Sequence, residues 1–265
     1  MTIIITGASK GIGFSLAKRL VDKGHTVYSF SRSTPSDERI KFITCDISNE
    51  QSIAKAFDDF FKKEKSVDIL VNNAGIGISG AVEKTKLQDM KQIFDVNFHG
   101  AALCSAHVIP KMRDVRCAFS SPKIIFVSSV ASTFTIPFQT FYSATKTAIN
   151  SLSEGLRMEL KPFGIKVGTL MLGDIKSSFT QNRQKDFEGD DIYSGRVAAS
   201  IAVMERDEKN GMCPDKVARK IALYIGRRCV KPYKVFGFKY KMFCLLNKFL
   251  PRKWVLAVVY RIYGK

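Results

Sequence analysis

The chain has 265 residues, 45% of them hydrophobic, enough to bury a large core in one α/β domain. No apolar run reaches the roughly 18 to 20 residues of a spanning helix, and a strand pattern beginning at residue 2 leaves no room for a signal peptide, so a cytoplasmic protein is expected. The net charge of +18 is concentrated at one end: no Asp or Glu follows Asp215, whereas fourteen Lys and Arg do, leaving only +4 for the rest.

The β-branched run Thr2-Ile3-Ile4-Ile5 predicts a strand, and apolar residues at Phe14, Leu16, Ala17, Leu20 and Val21 predict a helix. Between them lies Thr6-Gly7-Ala8-Ser9-Lys10-Gly11-Ile12-Gly13. A strand, a glycine turn and a helix in that order can turn backbone N–H groups and a helix N-terminus toward a pyrophosphate, although the same pattern also serves as a plain tight turn. A second strand, Thr26 to Ser31, ends at Arg32, where an NAD-preferring site carries Asp or Glu. Arg32 and Lys10 can meet a ribose 2′-phosphate, so NADP(H) is expected over NAD(H), the alternative being two solvated cations. Ser48 with Gln51 resembles a capping box opening a helix from Asn49 to about Lys65.

Ile69-Leu70-Val71 and Ile124-Ile125-Phe126-Val127 fit buried central strands, the first followed by Asn72-Asn73-Ala74-Gly75 and the second by Ser128-Ser129. Tyr142 and Lys146 are four residues apart, so on a helix they share a face and an ammonium can lie beside a phenol. Alone, this spacing is also an ordinary surface pair. A sixth strand, Lys166 to Met171, runs into Leu172-Gly173-Asp174-Ile175-Lys176-Ser177. Alternation of strands and helices up to that point predicts right-handed crossovers and a parallel sheet covered on both faces. Cys45, Cys104, Cys117, Cys213, Cys229 and Cys244 lack paired spacing, and His25, His99 and His107 form no ligand motif with them, so reduced thiols and no metal are expected.

These motifs, in this order and spacing, identify the chain as a member of the short-chain dehydrogenase/reductase family over most of its length. The resemblance implies a single doubly wound Rossmann-like domain over 1–230, with a helical substrate lid at about 177–213. It further implies that Tyr142 donates a proton to a carbonyl oxygen while a nicotinamide delivers hydride, that Lys146 holds the ribose and lowers the phenol's pKa, and that Ser129 hydrogen-bonds the substrate. Ser129, thirteen residues before the Tyr, fits that place better than Ser128 or Ser132. Asn97, in a long helix, would anchor a relay water.

Gly7, Ser9, Lys10, Gly11, Ile12 and Gly13 would form the cofactor loop with Arg32. Asp46 and Ile47 would flank the adenine, while Asn73, Ala74 and Gly75 would lie beside the ribose. Gly173, Ile175 and Ser177 would approach the nicotinamide or pyrophosphate, although Leu172 replaces the family's usual Pro. A homodimer or tetramer is expected as well. Phe179, Phe187, Tyr193, Ile201, Val203 and Met204 in the lid, with Phe134, Ile136, Pro137 and Phe138, suit an apolar, lipid-like carbonyl or alcohol substrate, or simply core.

Residues 231–265 form a basic extension in which Tyr240, Phe243, Leu246 and Leu250, then Trp254, Val255, Val258, Val259 and Ile262, recur at helical spacing across Pro251. Such helices can lie peripherally on an anionic membrane surface or pack on the body or a second subunit. Nucleic acid is not expected, since no binding motif is present. A nucleotide-binding membrane or partner protein with little catalysis is the alternative to an active reductase, or to an alcohol dehydrogenase running in reverse. The intact Asn97, Ser129, Tyr142 and Lys146 favour the enzyme.

Overall fold

The computed structural model describes residues 1–114, 122–177 and 179–265; Cys117 lies outside them. Nine strands are described: β1 (Thr2–Thr6), β2 (Thr26–Ser31), β3 (Lys41–Thr44), β4 (Ile69–Asn72), β5 (Ile78–Ser79), β6 (Lys123–Ser129), β7 (Lys166–Leu172), β8 (Gln184–Lys185) and β9 (Tyr233–Val235). Seven form one parallel sheet in the order β3-β2-β1-β4-β6-β7-β9, while β5 and β8 pair separately. The helices are α1 (Gly11–Val21), α2 (Glu50–Lys63), α3 (Leu87–Phe94), α4 (Gly100–Asp114), α5 (Thr140–Glu159), α6 (Phe179–Asn182), α7 (Arg196–Lys209), α8 (Pro214–Ile225), α9 (Phe238–Phe249) and α10 (Arg252–Tyr263).

Parallel strands need crossovers, and the crossover helices cover both sheet faces. On one face Leu16, Ala17 and Leu20 of α1 meet Val217, Ile221 and Ile225 of α8 over Ile3, Ile5 and Val71. On the other, Phe57 and Phe60 of α2 join Cys104 and Val108 of α4 and Ile149 of α5 over Ile4, Phe30 and Phe126. The fully buried Ile3, Ile4 and Ile5 show why β1 reads as an unbroken apolar run rather than an alternation.

Three sequence expectations change. The cap of α2 is Asn49, whose side chain accepts from the Ser52 N–H at 2.8 Å, because Ser48 instead donates its hydroxyl to Asp46 at 2.7 Å. Asn97 lies in a π-helical turn, Asp95–His99, joining α3 to α4 rather than in a continuous α-helix. Finally, β9 is drawn from residues assigned by their composition to the extension. Its three residues are too short for a periodic signal, and their placement is tertiary: a Cβ on Gly168 would overlap Val230, and the Tyr224 hydroxyl takes the Lys231 N–H at 2.7 Å.

The described cysteines are free, and burial raises the pKa of Cys45 to about 12 and that of Cys104 well above its usual value. No group of metal-ligating side chains occurs among the described residues, and none of their helices is long and apolar enough to cross a membrane.

Candidate active site

The carboxyl ends of β1, β2, β3, β4, β6 and β7 open into one cleft of about 560 Å³. In an open parallel sheet this edge is where adjacent loops diverge and a ligand can enter. All the expected catalytic and cofactor residues except Asn97 line the cleft, from Gly7 and Arg32 at one end to Tyr142, Lys146 and Ser177 at the other.

The glycine loop is built for close approach. Gly7 and Gly11 have φ of +68° and +61°, which disfavour side chains, and a Cβ on Gly13 would lie 2.5 Å from the Asn73 amide nitrogen. That amide donates to the Thr6 carbonyl at 2.9 Å, and the Thr6 hydroxyl accepts from the Asn73 and Ala74 N–H groups at 3.0 Å. Asn73 thus fixes the loop from the end of β4, with Thr6 as its partner. No side chain caps α1 and its first turn contains no acid, so the chemistry of this helix start suits a phosphate. Lys10 reaches Asn182 at 3.3 Å. Burial tends to raise the Asp46 pKa, yet its Ser48 hydrogen bonds and the nearby Arg32 charge bring it below the ordinary carboxylate value.

Ser129 ends β6, and α5 begins at Thr140, so strand end and helix converge with Tyr142 and Lys146 on the cleft side. The Ser129 hydroxyl accepts from the Ala131 N–H at 3.1 Å and lines the cleft with the Tyr142 phenol, whose pKa it pulls down. Lys146 Nζ lies 5.5 Å from the Tyr142 ring and donates to the Val127 carbonyl at 3.1 Å. Burial lowers the Lys146 pKa to about 8 and raises that of Tyr142 to about 12, against the smaller downward pull of Ser129. Desolvation dominates the phenol, and the charges acting on it are those of Glu208, Arg183 and Asp174.

Asn97 is 2% exposed and sits behind the cleft. Its Oδ1 accepts from the Ile76 N–H at 2.8 Å, while Nδ2 donates to the Ile76 carbonyl at 3.0 Å and Thr145 Oγ1 at 3.1 Å. Both amide hydrogens are spent on protein, so the side chain pins the 75–77 loop. Gly173 lines the cleft, and a Cβ there would overlap the Tyr240 ring, whose hydroxyl donates to Asp174.

Tyr263 also lines the cleft and hydrogen-bonds Asp207 at 3.1 Å. Neither tail tyrosine was expected at the site: Tyr240 carried only a helical periodicity, which does not name a partner, and Tyr263 was not singled out. Ile136, Phe179 and Met204 supply apolar wall, Phe138 packs edge-on against Tyr193, and Phe187 is exposed.

The short chain dehydrogenase family model matches residues 1–188. The chain belongs to the short-chain dehydrogenase family. Among this dehydrogenase's relatives, 3-ketodihydrosphingosine reductase of Bacteroides thetaiotaomicron is 35% identical over 85% of this chain and 84% of its own. A probable short-chain type dehydrogenase/reductase, VdlC, of Helicobacter pylori is 29% identical over 95% and 93% of the two chains. The crystal structure of a short-chain dehydrogenase from Streptomyces avermitilis superposes with a TM-score of 0.82 at 27% identity, covering 93% of this dehydrogenase and 92% of that chain.

Proposed function

We propose that the protein is an NADP(H)-dependent reductase of ketones on apolar, lipid-like molecules, with Tyr142 as the proton donor. The observation that carries this reading is that Ser129, Tyr142 and Lys146 line one cleft together with the glycine loop, the Lys146 ammonium 5.5 Å from the Tyr142 ring. When bound, a nicotinamide supplies hydride to the carbonyl carbon. The glycine loop and the start of α1 would hold its pyrophosphate, Arg32 and Lys10 a 2′-phosphate, and Lys146 a ribose.

Ser129 and Tyr142 present two hydroxyls to one carbonyl oxygen, polarising it and stabilising the alkoxide as it develops. Tyr142 then transfers its phenolic proton to that oxygen. Burial keeps the phenol protonated at neutral pH, so it enters the reaction as the acid. Lys146, still largely protonated at pH 7, stabilises the phenolate left behind.

Ile136, Phe179 and Met204 support an apolar substrate. So does the name of the Bacteroides relative, which places a keto group on a sphingoid lipid. An apolar groove along α5, lined by Phe98, Leu152 and Leu156, is the face on which a homodimer or tetramer would pair.

The test is Tyr142→Phe, assayed by NADPH oxidation against long- and short-chain ketones and by NADPH fluorescence titration. Turnover should fall roughly 10²- to 10⁴-fold with nucleotide affinity nearly unchanged. Comparable turnover in the variant would reject the proton-donor role. A wild type without ketone reduction would leave the nucleotide-binding reading instead.

A further inference from the structure

Helices α9 and α10 have a narrow inner seam and a wider outer surface on which large apolar side chains alternate with cations. The seam is Tyr240, Cys244 and Asn247 on α9, then Val255, Val259 and Tyr263 on α10, at spacings of three to four residues that keep them on one side. Tyr240 reaches Asp174, Arg252 donates to the Thr133 carbonyl at 3.2 Å, and α10 lies along α7. The outer surface carries Phe238 at 83% exposure, Phe249 at 78%, and Leu245, Trp254, Val258 and Ile262 at about half. Aromatic and aliphatic side chains this contiguous and this exposed mark an interaction surface.

Charge selects the occupant. From Lys231 to the C-terminus there are nine Lys and Arg and no acid, so a second copy presenting the same face would meet like charge. Apolar side chains interleaved with cations fit a layer that is apolar within and anionic at its surface. We infer that the α9–α10 pair docks the enzyme on an anionic lipid bilayer and holds the cleft at the lipid surface for a membrane-dissolved ketone to enter. The same two helices reach the cleft, Tyr263 in its wall and Tyr240 against Gly173, so docking surface and catalytic cavity share one wall. Docking stands independently of the reductase reading; delivery of the ketone rests on it.

Trp254 is the single tryptophan and lies on the outer surface, which makes it an intrinsic reporter. With vesicles of phosphatidylcholine and phosphatidylglycerol its emission should shift to the blue and the protein should co-sediment. Pure phosphatidylcholine should bind far less, and salt should release the protein. Changing Lys241, Lys248, Lys253 and Arg261 together to Gln leaves the seam intact. At about fivefold per cation, this should weaken partition several hundredfold. The same variant should lose reduction of a long-chain ketone carried in those vesicles while keeping wild-type reduction of a soluble short ketone.

Three results would overturn docking: no blue shift with anionic vesicles, equal binding by the Gln variant, or burial of Trp254 through concentration-dependent self-association without vesicle binding. Vesicle binding with equal loss of both ketone activities would overturn delivery alone. Vesicle binding by a protein that reduces no ketone would keep the docking and reject the reductase.

Discussion

Replacing Lys146 by Met should stabilise the fold while abolishing activity. Burial lowers the ammonium pKa from 10.5 to about 8. A depression of roughly 2.5 units, at about 1.36 kcal/mol per unit, amounts to about 3 kcal/mol for holding the charge inside. Met has a similar length and no charge, but loses the hydrogen bond to the Val127 carbonyl, worth about 1 kcal/mol. The net gain at pH 7 is about 2 kcal/mol, or a Tm rise of about 4 to 8 °C for a chain of this size.

The sign follows from proton binding. With the folded pKa below the unfolded one, the unfolded state binds more protons between about pH 8 and pH 10.5, so wild-type stability rises through that window. Below it the desolvation penalty is complete; above it both states carry a neutral amine. The advantage of the Met variant should therefore shrink from pH 8 upward and become a loss of about 1 kcal/mol near pH 10.5. Urea unfolding of both proteins without added nucleotide, at about pH 7 and pH 9.5, measures this. A difference that does not change with pH, or a Met variant less stable at pH 7, would refute the assignment of Lys146 as a charge held at a cost.

Arg32→Asp should move the NADPH-to-NADH ratio of kcat/KM toward NADH by tenfold or more, since a carboxylate repels a 2′-phosphate and accepts from a free ribose hydroxyl. An unmoved ratio in steady-state assays would remove Arg32 from the site. Asn97→Ala should destabilise the protein by about 2 to 4 kcal/mol in urea unfolding, because the Ile76 N–H and C=O lose their partner inside the fold. A kcat loss with unchanged stability would show that Asn97 acts in proton relay and not as a brace.

Sequence alone determined the parts whose physics is local. The glycine positions, the buried β-branched strands and the Tyr142–Lys146 spacing are each set by a backbone conformation or a period of a few residues, and the cleft gathers those residues as expected. The substitution of Arg32 for an acid was legible for the same reason.

Tertiary structure decided what depends on distant neighbours. Whether Lys146 lowers the Tyr142 pKa or desolvation raises it depends on the protein packed around both, which spacing does not record. The Asn97 amide found its partners at Ile76, twenty-one residues away, and the space at Gly173 was taken by Tyr240 from the tail. Helical periodicity marked α9 and α10 as amphipathic yet left both faces open, since a repeat of 3.6 residues defines a stripe without naming what covers it. Docking against α7 and Asp174 buried the narrower seam and left the larger apolar surface to solvent.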